Sequence, residues 1–515
     1  MDNSHRSNGA VIRRTVGILV ALIVALAMIL LTFELVFTGF LPIKYLAAAV
    51  LAMAVVFIIA ALLMIVPKRK GPFIAGLVLA IIACIVAAAG FLYVHKARKT
   101  VENITTPTAD ATVVSVFMRA SDTRDFERSA SGLSYGIIAD RDRANTDEAV
   151  SRLGAAYSFD PDVHAFDSLP TLVETLLDGS VDAIVINRGF VAILDEVEGL
   201  EDAESNMREV WSVRIEEEPA PAGAPGAAPD QSPQPSYSSH AADQYADGGD
   251  RIRSSDGSTF AVYIGGIDSR SGLVERSRND VNIIAVINTK TKQIALVSTP
   301  RDYYVPLSIS GGARDKLTHA GIYGVQVSMD SLAAFYGIDI DYYFRVNFGG
   351  FVDIVNTLGG VTVDSDYSFS AFGYTFYEGE NYLDGDAALA FVRERHAFAS
   401  GDRQRGRNQL AVIKALLRKM MSPELLTNFF DLMNALEGSF ETNVPYDVLS
   451  KLVRDQLSGG EDWNVVGYSV DGDGDLQIPY SLSQYAYVMV PDMDTVHRAS
   501  ELFRQVYAGE QASLS

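Results

Sequence analysis

Fixed positive charges and carboxylates recur beside apolar runs through the second half of the chain. They are Asp268, Arg278, Asp280, Arg301 and Asp302, followed by Lys316, Arg393, Arg395, Asp402, Arg405 and Gln409. Guanidinium groups stay charged at any working pH and fork onto phosphate oxygens, whereas paired carboxylates suit a hard divalent cation. The combination points to chemistry on a pyrophosphate assisted by Mg2+, with Mn2+ as the alternative ion. Asp268 follows one apolar run and Asp280 opens another, so both can reach one point, where phosphate oxygens and waters would complete the octahedron that Mg2+ demands. Phosphoryl transfer spreads negative charge over equatorial and leaving oxygens, so one arginine would not suffice. Arg393 and Arg395 follow the apolar run from Ala387 to Val392; read as a strand, that run aims both side chains the same way. Any one of these Arg/Asp pairs taken alone reads as a surface salt bridge. Only convergence makes them a site.

The elements that must produce that convergence read as α/β. Phe260 to Gly265, Asn282 to Ile287 and Gln293 to Ser298 are nearly continuous apolar runs, as expected of strands buried on both faces. Helical patterns follow at Gly324 to Tyr336, Phe348 to Leu358 and Gln409 to Met421. The expected architecture is a central mixed sheet covered by helices on both faces, over residues 256–510. Strands ending at Gly266, Ser298 and Val392 would deliver the Asp268, Arg301 and Arg393 clusters to one edge, where such folds usually bind ligands. Asp471, Asp473 and Asp475 have the spacing of the start of a calcium loop, but Leu476 and Leu482 stand where Gly and Glu are needed, so a turn between strands is expected. The histidines, His319 and His396 among them, form no ligand pair at helical or finger spacing.

The ordered blocks Asp268-Ser269-Arg270, Arg278-Asn279-Asp280, Ser298 to Asp302, Lys316 to Ala320, Leu383-Asp384-Gly385, Arg393-Glu394-Arg395 and Asp402 to Arg405 resemble the LytR-CpsA-Psr family. The resemblance runs from about Thr259 to the helix after Gln409. It implies transfer of a wall glycopolymer, teichoic acid or capsular polysaccharide, from undecaprenyl pyrophosphate to peptidoglycan outside the membrane of a Gram-positive-type cell. It also implies that Asp268 and Asp280 hold the cation, and that Arg278, Arg301, Lys316, Arg393, Arg395 and Gln409 grip the pyrophosphate. Asp402 and Arg405 match positions near the acceptor; Asp402 either helps deprotonate the attacking hydroxyl or only orients Arg405. His319 falls in a matching block and reads as loop packing. Asn279 stands where the family usually has serine, and Asn408 where it usually has another arginine. The resemblance further implies an apolar tunnel for the polyprenyl chain near the aromatics from Phe335 to Phe376, most of which read as core.

Three apolar stretches, Val16 to Phe37, Tyr45 to Val66 and Phe73 to Val94, each meet the length required to cross a bilayer. A cytoplasmic tail over residues 1–15 and a three-helix membrane region over 16–94 follow from this. No small-residue cleavage site interrupts the first stretch, which is too long for a cleaved signal peptide. Arg6, Arg13 and Arg14 before the first span, and Lys68, Arg69 and Lys70 between the second and third, place both segments in the cytoplasm by the positive-inside rule. The part after Val94 is then extracytoplasmic, against the local signal of Lys96, Arg98 and Lys99. Glu34 lies near the outer end of the first span and reads as interfacial.

The chain has 515 residues and a net charge of -22. Such an acidic balance, carried mostly after the spans, argues against nucleic-acid binding and makes any basic patch local and specific. The single cysteine, Cys84, lies in the third span, so the rest can have neither a disulfide nor thiol chemistry. Residues 110–215 alternate strand and helix patterns and read as a small accessory α/β domain, with a short likeness to a solute-binding lobe around Leu172 to Asn187. Residues 216–250 are rich in Pro, Ala, Gly and Ser and read as a disordered linker. The expected partners are the lipid-linked glycopolymer, peptidoglycan and the bilayer, with no nucleic acid. The competing functions are hydrolysis of a polyprenyl pyrophosphate at the same site and a non-catalytic envelope sensor or transcription attenuator. No helix-turn-helix or basic DNA face supports the latter.

Overall fold

The computed structural model describes residues 2–66, 70–106, 111–216, 251–254, 257–267, 276–422, 432, 437–438, 440–459 and 462–514, with side chains from Val11 on. Lys68, Arg69, the linker beyond Glu216, Asp268 and Arg270 lie outside the described residues. The chain forms two compact units. One comprises residues 1–105, 429–434 and 445–461, and the other the remainder.

The first unit is built on α1 (Asp2–Phe37), α2 (Ile43–Ile65) and α3 (Lys70–Thr105). Val11–Phe37, Ile43–Ile65 and Lys70–Thr105 are each long and apolar enough to cross a membrane. Small and slender side chains, among them Ala21, Val24, Ala60, Ala80, Ala83 and Ala87, face one another. Bulky ones such as Leu22, Ile29, Leu51 and Ile85 point outward. This is packing suited to lipid surroundings, where close backbone approach rather than hydrophobic exclusion holds helices together. Glu34 is buried among the helices: Arg98 Nε donates to its Oε1 at 2.8 Å, and His95 Nδ1 lies at 3.1 Å. Arg98 also pairs with Glu102. The basic residues after Val94 therefore continue α3 by three turns, with Arg98 engaged in neutralising two acids. The helix over Tyr446–Ser458 belongs to this unit, its Tyr446 Oη donating to Thr38 O at 2.9 Å and its Arg454 Nη1 to Gly39 O at 3.0 Å.

Among the described residues the second unit carries two large sheets and four two-stranded ones. The first contains β1 (Ala111–Arg119), β2 (Ser134–Ile138), β3 (Asp162–Phe166), β4 (Ala183–Asn187) and β5 (Met207–Glu216) in the order β3-β2-β4-β1-β5. β3, β2 and β4 run parallel, while β1 is antiparallel to both its neighbours. Helix α4 (Arg143–Tyr157) covers one face; α5 (Leu169–Asp178) and a 3-10 segment over Arg188–Glu196 cover the other. That second face buries Ile322, Leu482 and Ala486, which lie on a 3-10 segment, a turn and the start of a strand further along the chain. Arg276 N donates to Ala111 O at 3.4 Å, and Arg141 Nη2 to Ser483 Oγ at 2.6 Å. The accessory sheet thus shares a core with its neighbour.

The second sheet contains β6 (Thr259–Ile267), β7 (Asn279–Asn288), β8 (Gln293–Ser298), β9 (Tyr342–Asn347), β10 (Phe440–Thr442) and β11 (Asn464–Ser469). Its order is β10-β9-β6-β7-β8-β11. β6, β7 and β8 form an antiparallel meander, and β9 and β11 add parallel strands to its two sides, so the sheet is mixed. On one face Ala261, Tyr263, Ile284, Val286, Ala295 and Val297 pack under α6 (Val325–Tyr336) and the helix over Met493–Ala508. The other face receives the helix over Asp402–Met420. There Gly406 comes so close to the strand ends that a Cβ would lie 3.0 Å from Ser298 Oγ and 2.9 Å from Ser469 Oγ. Helices therefore cover both faces. Phe369, Phe376 and Phe391 form a separate cluster with Val355, Leu383 and Val412, whereas Phe372 is exposed.

Two local expectations are corrected. The run from Ala387 to Val392 is not a strand: α8 spans Gly385–Arg393, after α7 (Phe348–Thr357). Asp384 caps it by accepting from Ala387 N at 2.9 Å, and alanines favour the helix. Buried Ala387, Ala388, Ala390 and Phe391 show the matching helical spacing. Asp473 and Asp475 lie within a strand over Gly472–Gln477 rather than in a turn.

Candidate active site

The start of β7, the end of β8 and the first turns of α9 (Asp402–Met420) border a small, tight cleft. Asp280, Arg301, Asp402, Arg405 and Gln409 line it together with Ser298, Thr299 and Ser469. Asp402, Arg405 and Gln409 fall at i, i+3 and i+7 on α9 and so share a face. Gly401, at φ 51°, precedes them in the left-handed region that favours glycine. Gly406 lets this face approach the strand ends.

Arg301 Nη1 donates to Asp280 Oδ1 at 2.6 Å, and its Nε lies 3.6 Å from Asp302 Oδ1. Burial alone would lower the Arg301 pKa, but Asp302 and Asp280 raise it further above its ordinary value. Arg301 Nε and Asp302 Oδ1 are buried with no hydrogen-bond partner in the protein, as expected where a polar ligand completes the set. Asp402 pairs with Arg405. Its pKa is raised from the ordinary aspartate value, chiefly by burial, which outweighs the lowering by Arg405.

Asp302 also connects the cleft to a second cation group, since Lys316 Nζ lies 3.7 Å from its Oδ1. Lys316 Nζ donates to Glu196 Oε2 at 2.5 Å, and Arg278 Nη1 donates to Glu196 Oε1 at 3.1 Å. His319 Nε2 stands 3.6 Å from Glu196, with its Nδ1 2.7 Å from Asp315 Oδ1. Burial alone would raise the Glu196 pKa, but His319 and Lys316 hold it well below the carboxylate range. Burial pushes the His319 imidazole down while Asp315 and Glu196 more than reverse this, taking it up to about 9. His319 thus joins Asp315 and Glu196 in a buried polar network beside the site, beyond the loop packing expected of it.

Arg393 and Arg395 do not share a direction. Arg393 closes α8 and its guanidinium stacks 4.6 Å from the Phe348 ring centre, while Arg395 follows the extended Glu394 and donates from Nε to His396 Nε2 at 3.3 Å. Arg395 remains close enough for its charge to act on Asp402. Asn408 is turned into the protein, its Nδ2 donating to Phe391 O at 3.2 Å, and Asn279 Nδ2 donates to Ser328 Oγ at 2.9 Å. Among the described residues no group of three or more His, Cys, Asp or Glu side chains could hold a metal; Asp268 is outside them. Sequence reasoning missed Glu196, whose partners lie 82 and 120 residues away, beyond any local signal.

The His319 charge has a consequence for stability. Its folded pKa near 9 exceeds the ordinary 6.5, so the stabilisation is whole below pH 6.5 and is lost as pH rises through 9. It is at most on the order of 3 kcal/mol. Wild-type melting temperatures should fall from pH 6.5 to 9, and His319→Gln should flatten that slope. Equal slopes in the two proteins would mean that the imidazole is neutral.

A family model described as "LytR_cpsA_psr family" matches residues 231–494. The polyisoprenyl-teichoic acid–peptidoglycan teichoic acid transferase TagU of Bacillus licheniformis is 35% identical over 212 residues, which are 39% of this chain and 68% of that protein. TagU of Bacillus subtilis is 37% identical over 189 residues, 36% of this chain and 61% of its own length. The crystal structure of B. subtilis TagU aligns over 50% of this chain and 99% of that one, at 30% identity and a TM-score of 0.37.

Proposed function

Because the chain belongs to the LytR-CpsA-Psr family, we propose that it is a membrane-anchored glycopolymer transferase that moves a teichoic-acid-class or capsular polymer from undecaprenyl pyrophosphate to peptidoglycan. The observation that carries this reading is the convergence of Arg301, Asp280, Asp402, Arg405 and Gln409 on one cleft. The named relatives are teichoic acid transferases, which supports the substrate class. Three apolar helices and the basic residues before the first and between the second and third support an anchor with a cytoplasmic N-terminus and an extracytoplasmic site.

In this reading Arg278, Arg301, Lys316, Arg395 and Gln409 bind the donor diphosphate and spread its charge, with Arg393 at the rim. An acceptor sugar hydroxyl attacks the phosphorus attached to the glycopolymer. Its proton passes to Asp402, the bond from that phosphorus to the bridging oxygen breaks, and undecaprenyl phosphate leaves. Burial of Asp402 suits a proton acceptor, because a raised carboxyl is a stronger base than a solvated one. Asp268 and Asp280 would hold Mg2+ or Mn2+, and the carboxylate of Asp280 on the cleft wall fits that role. When bound, the ion supplies neutralisation of the diphosphate charge.

The test compares a lipid-linked glycopolymer incubated with and without peptidoglycan. Covalently attached polymer is expected only with acceptor, and hydrolysis without it should be at least tenfold slower. Equal release of free phosphorylated polymer in both tubes would identify a hydrolase, and lipid binding without turnover a sensor.

A further inference from the structure

The cations assigned to the diphosphate already meet an anion, and it comes from the other sheet of the same unit. Glu196 closes the 3-10 segment that caps the accessory sheet, anchored by buried Phe190, Ile193 and Leu194. One of its oxygens accepts from Arg278 and the other from Lys316, with His319 close by. Asp195 adds an oxygen 3.5 Å from Arg278 Nη1. Two acceptor oxygens of one group, each on a different cation, is how a phosphate would engage the same pair. The two carboxylates differ in setting: Glu196 is largely buried and Asp195 exposed.

Charge decides between a permanent partner and a displaceable one. Lys316 and His319 are buried, and buried cations without a counter-anion are costly, so the ligand-free protein gains from Glu196. A diphosphate brings at least two negative charges to the same donors, and like charges a few ångströms apart in a partly dry site repel strongly. Both anions cannot keep Arg278 and Lys316 at once.

We propose that Glu196 is a resident counter-anion that the donor diphosphate must displace from Arg278 and Lys316, making this accessory-domain residue a determinant of diphosphate affinity. The inference rests on the reading of Arg278 and Lys316 as part of the diphosphate grip. Displacement lowers apparent affinity by the fraction of time the carboxylate holds the cations. Its return as the diphosphate is cleaved helps expel the undecaprenyl phosphate, which carries fewer phosphate oxygens to hold it off.

The experiment uses the full chain in detergent, with farnesyl diphosphate as a soluble probe followed by calorimetry and thermal melting. Glu196→Gln keeps size and removes charge; it should bind the probe at least tenfold more tightly, melt lower without ligand, and show a larger upward shift on adding ligand. If that variant does not fold, Glu196→Asp, which withdraws the carboxylate by one methylene, should bind the probe several-fold more tightly. Unchanged or weaker binding by the folded variant beside normal wild-type binding would overturn this inference alone and make Glu196 a positioning residue for the two cations. A wild type that fails to bind the probe would overturn the grip reading, and this inference with it.

Discussion

Transfer by an Asp280→Ala protein should fall about a thousandfold. Two losses add at this position. Arg301, whose Nη1 donates to Asp280 at 2.6 Å, is released from the orientation that aims it into the cleft. The proposed cation also loses one of its two carboxylates, and charge neutralisation of that kind contributes several kcal/mol to phosphoryl transfer. The fold should survive, because Asp280 lies on the cleft wall and Arg301 retains Asp302 nearby. Asp280→Asn separates the two effects: its amide oxygen can still accept from Arg301, so the remaining loss should appear as a higher Mg2+ or Mn2+ concentration for half-maximal rate. Wild-type rates that persist in excess chelator would remove the metal from the mechanism, leaving Asp280 as an anchor for Arg301.

Asp402→Asn should lower kcat by about 10² to 10⁴ while changing donor binding little, as expected when a positioned base is removed. Asparagine can still accept from Arg405, so the helix face keeps its shape. The pH profile gives the sharper discrimination. Burial raises the Asp402 pKa, so the wild-type rate should climb with pH through a value above that of an ordinary aspartate, and this limb should vanish in the variant. Parallel losses in binding and turnover, with the limb unchanged, would assign Asp402 to holding Arg405.

The strands around Phe260, Ile284 and Leu296 were legible because strands covered on both faces need continuous apolar sequence. The opening of α9 was not. Expected from Gln409, it begins at Asp402, and its first turns are polar because they face the cleft rather than the core, which removes the apolar periodicity that marks a helix. The error at Ala387 to Val392 was of another kind. A short apolar run fits strand or helix, and only the Asp384 cap and the spacing of buried alanines separate them. The charges gathered at the cleft were legible by type, since few combinations of arginine and aspartate make chemical sense. Their counter-charge was not, because Glu196 reaches them from another sheet.

The last strand of the second sheet, β11, has a consequence for the order in which activity can arise. It joins β8 from far along the chain, and the segment that follows it returns to brace the site: Ser481 N donates to Asp315 at 3.0 Å, and Met489 N to Asp302 O at 2.8 Å. Asp315 in turn holds His319, and Asp302 lies between Arg301 and Lys316. A ribosome delivers the β6 to β8 meander well before the strand over Asn464–Ser469, and that meander is local enough to form early, whereas pairing across such separation is slow. The cations thus exist in nascent chains long before their scaffold does. The cation set is therefore braced only once the segment that carries Ser481 and Met489 has been delivered.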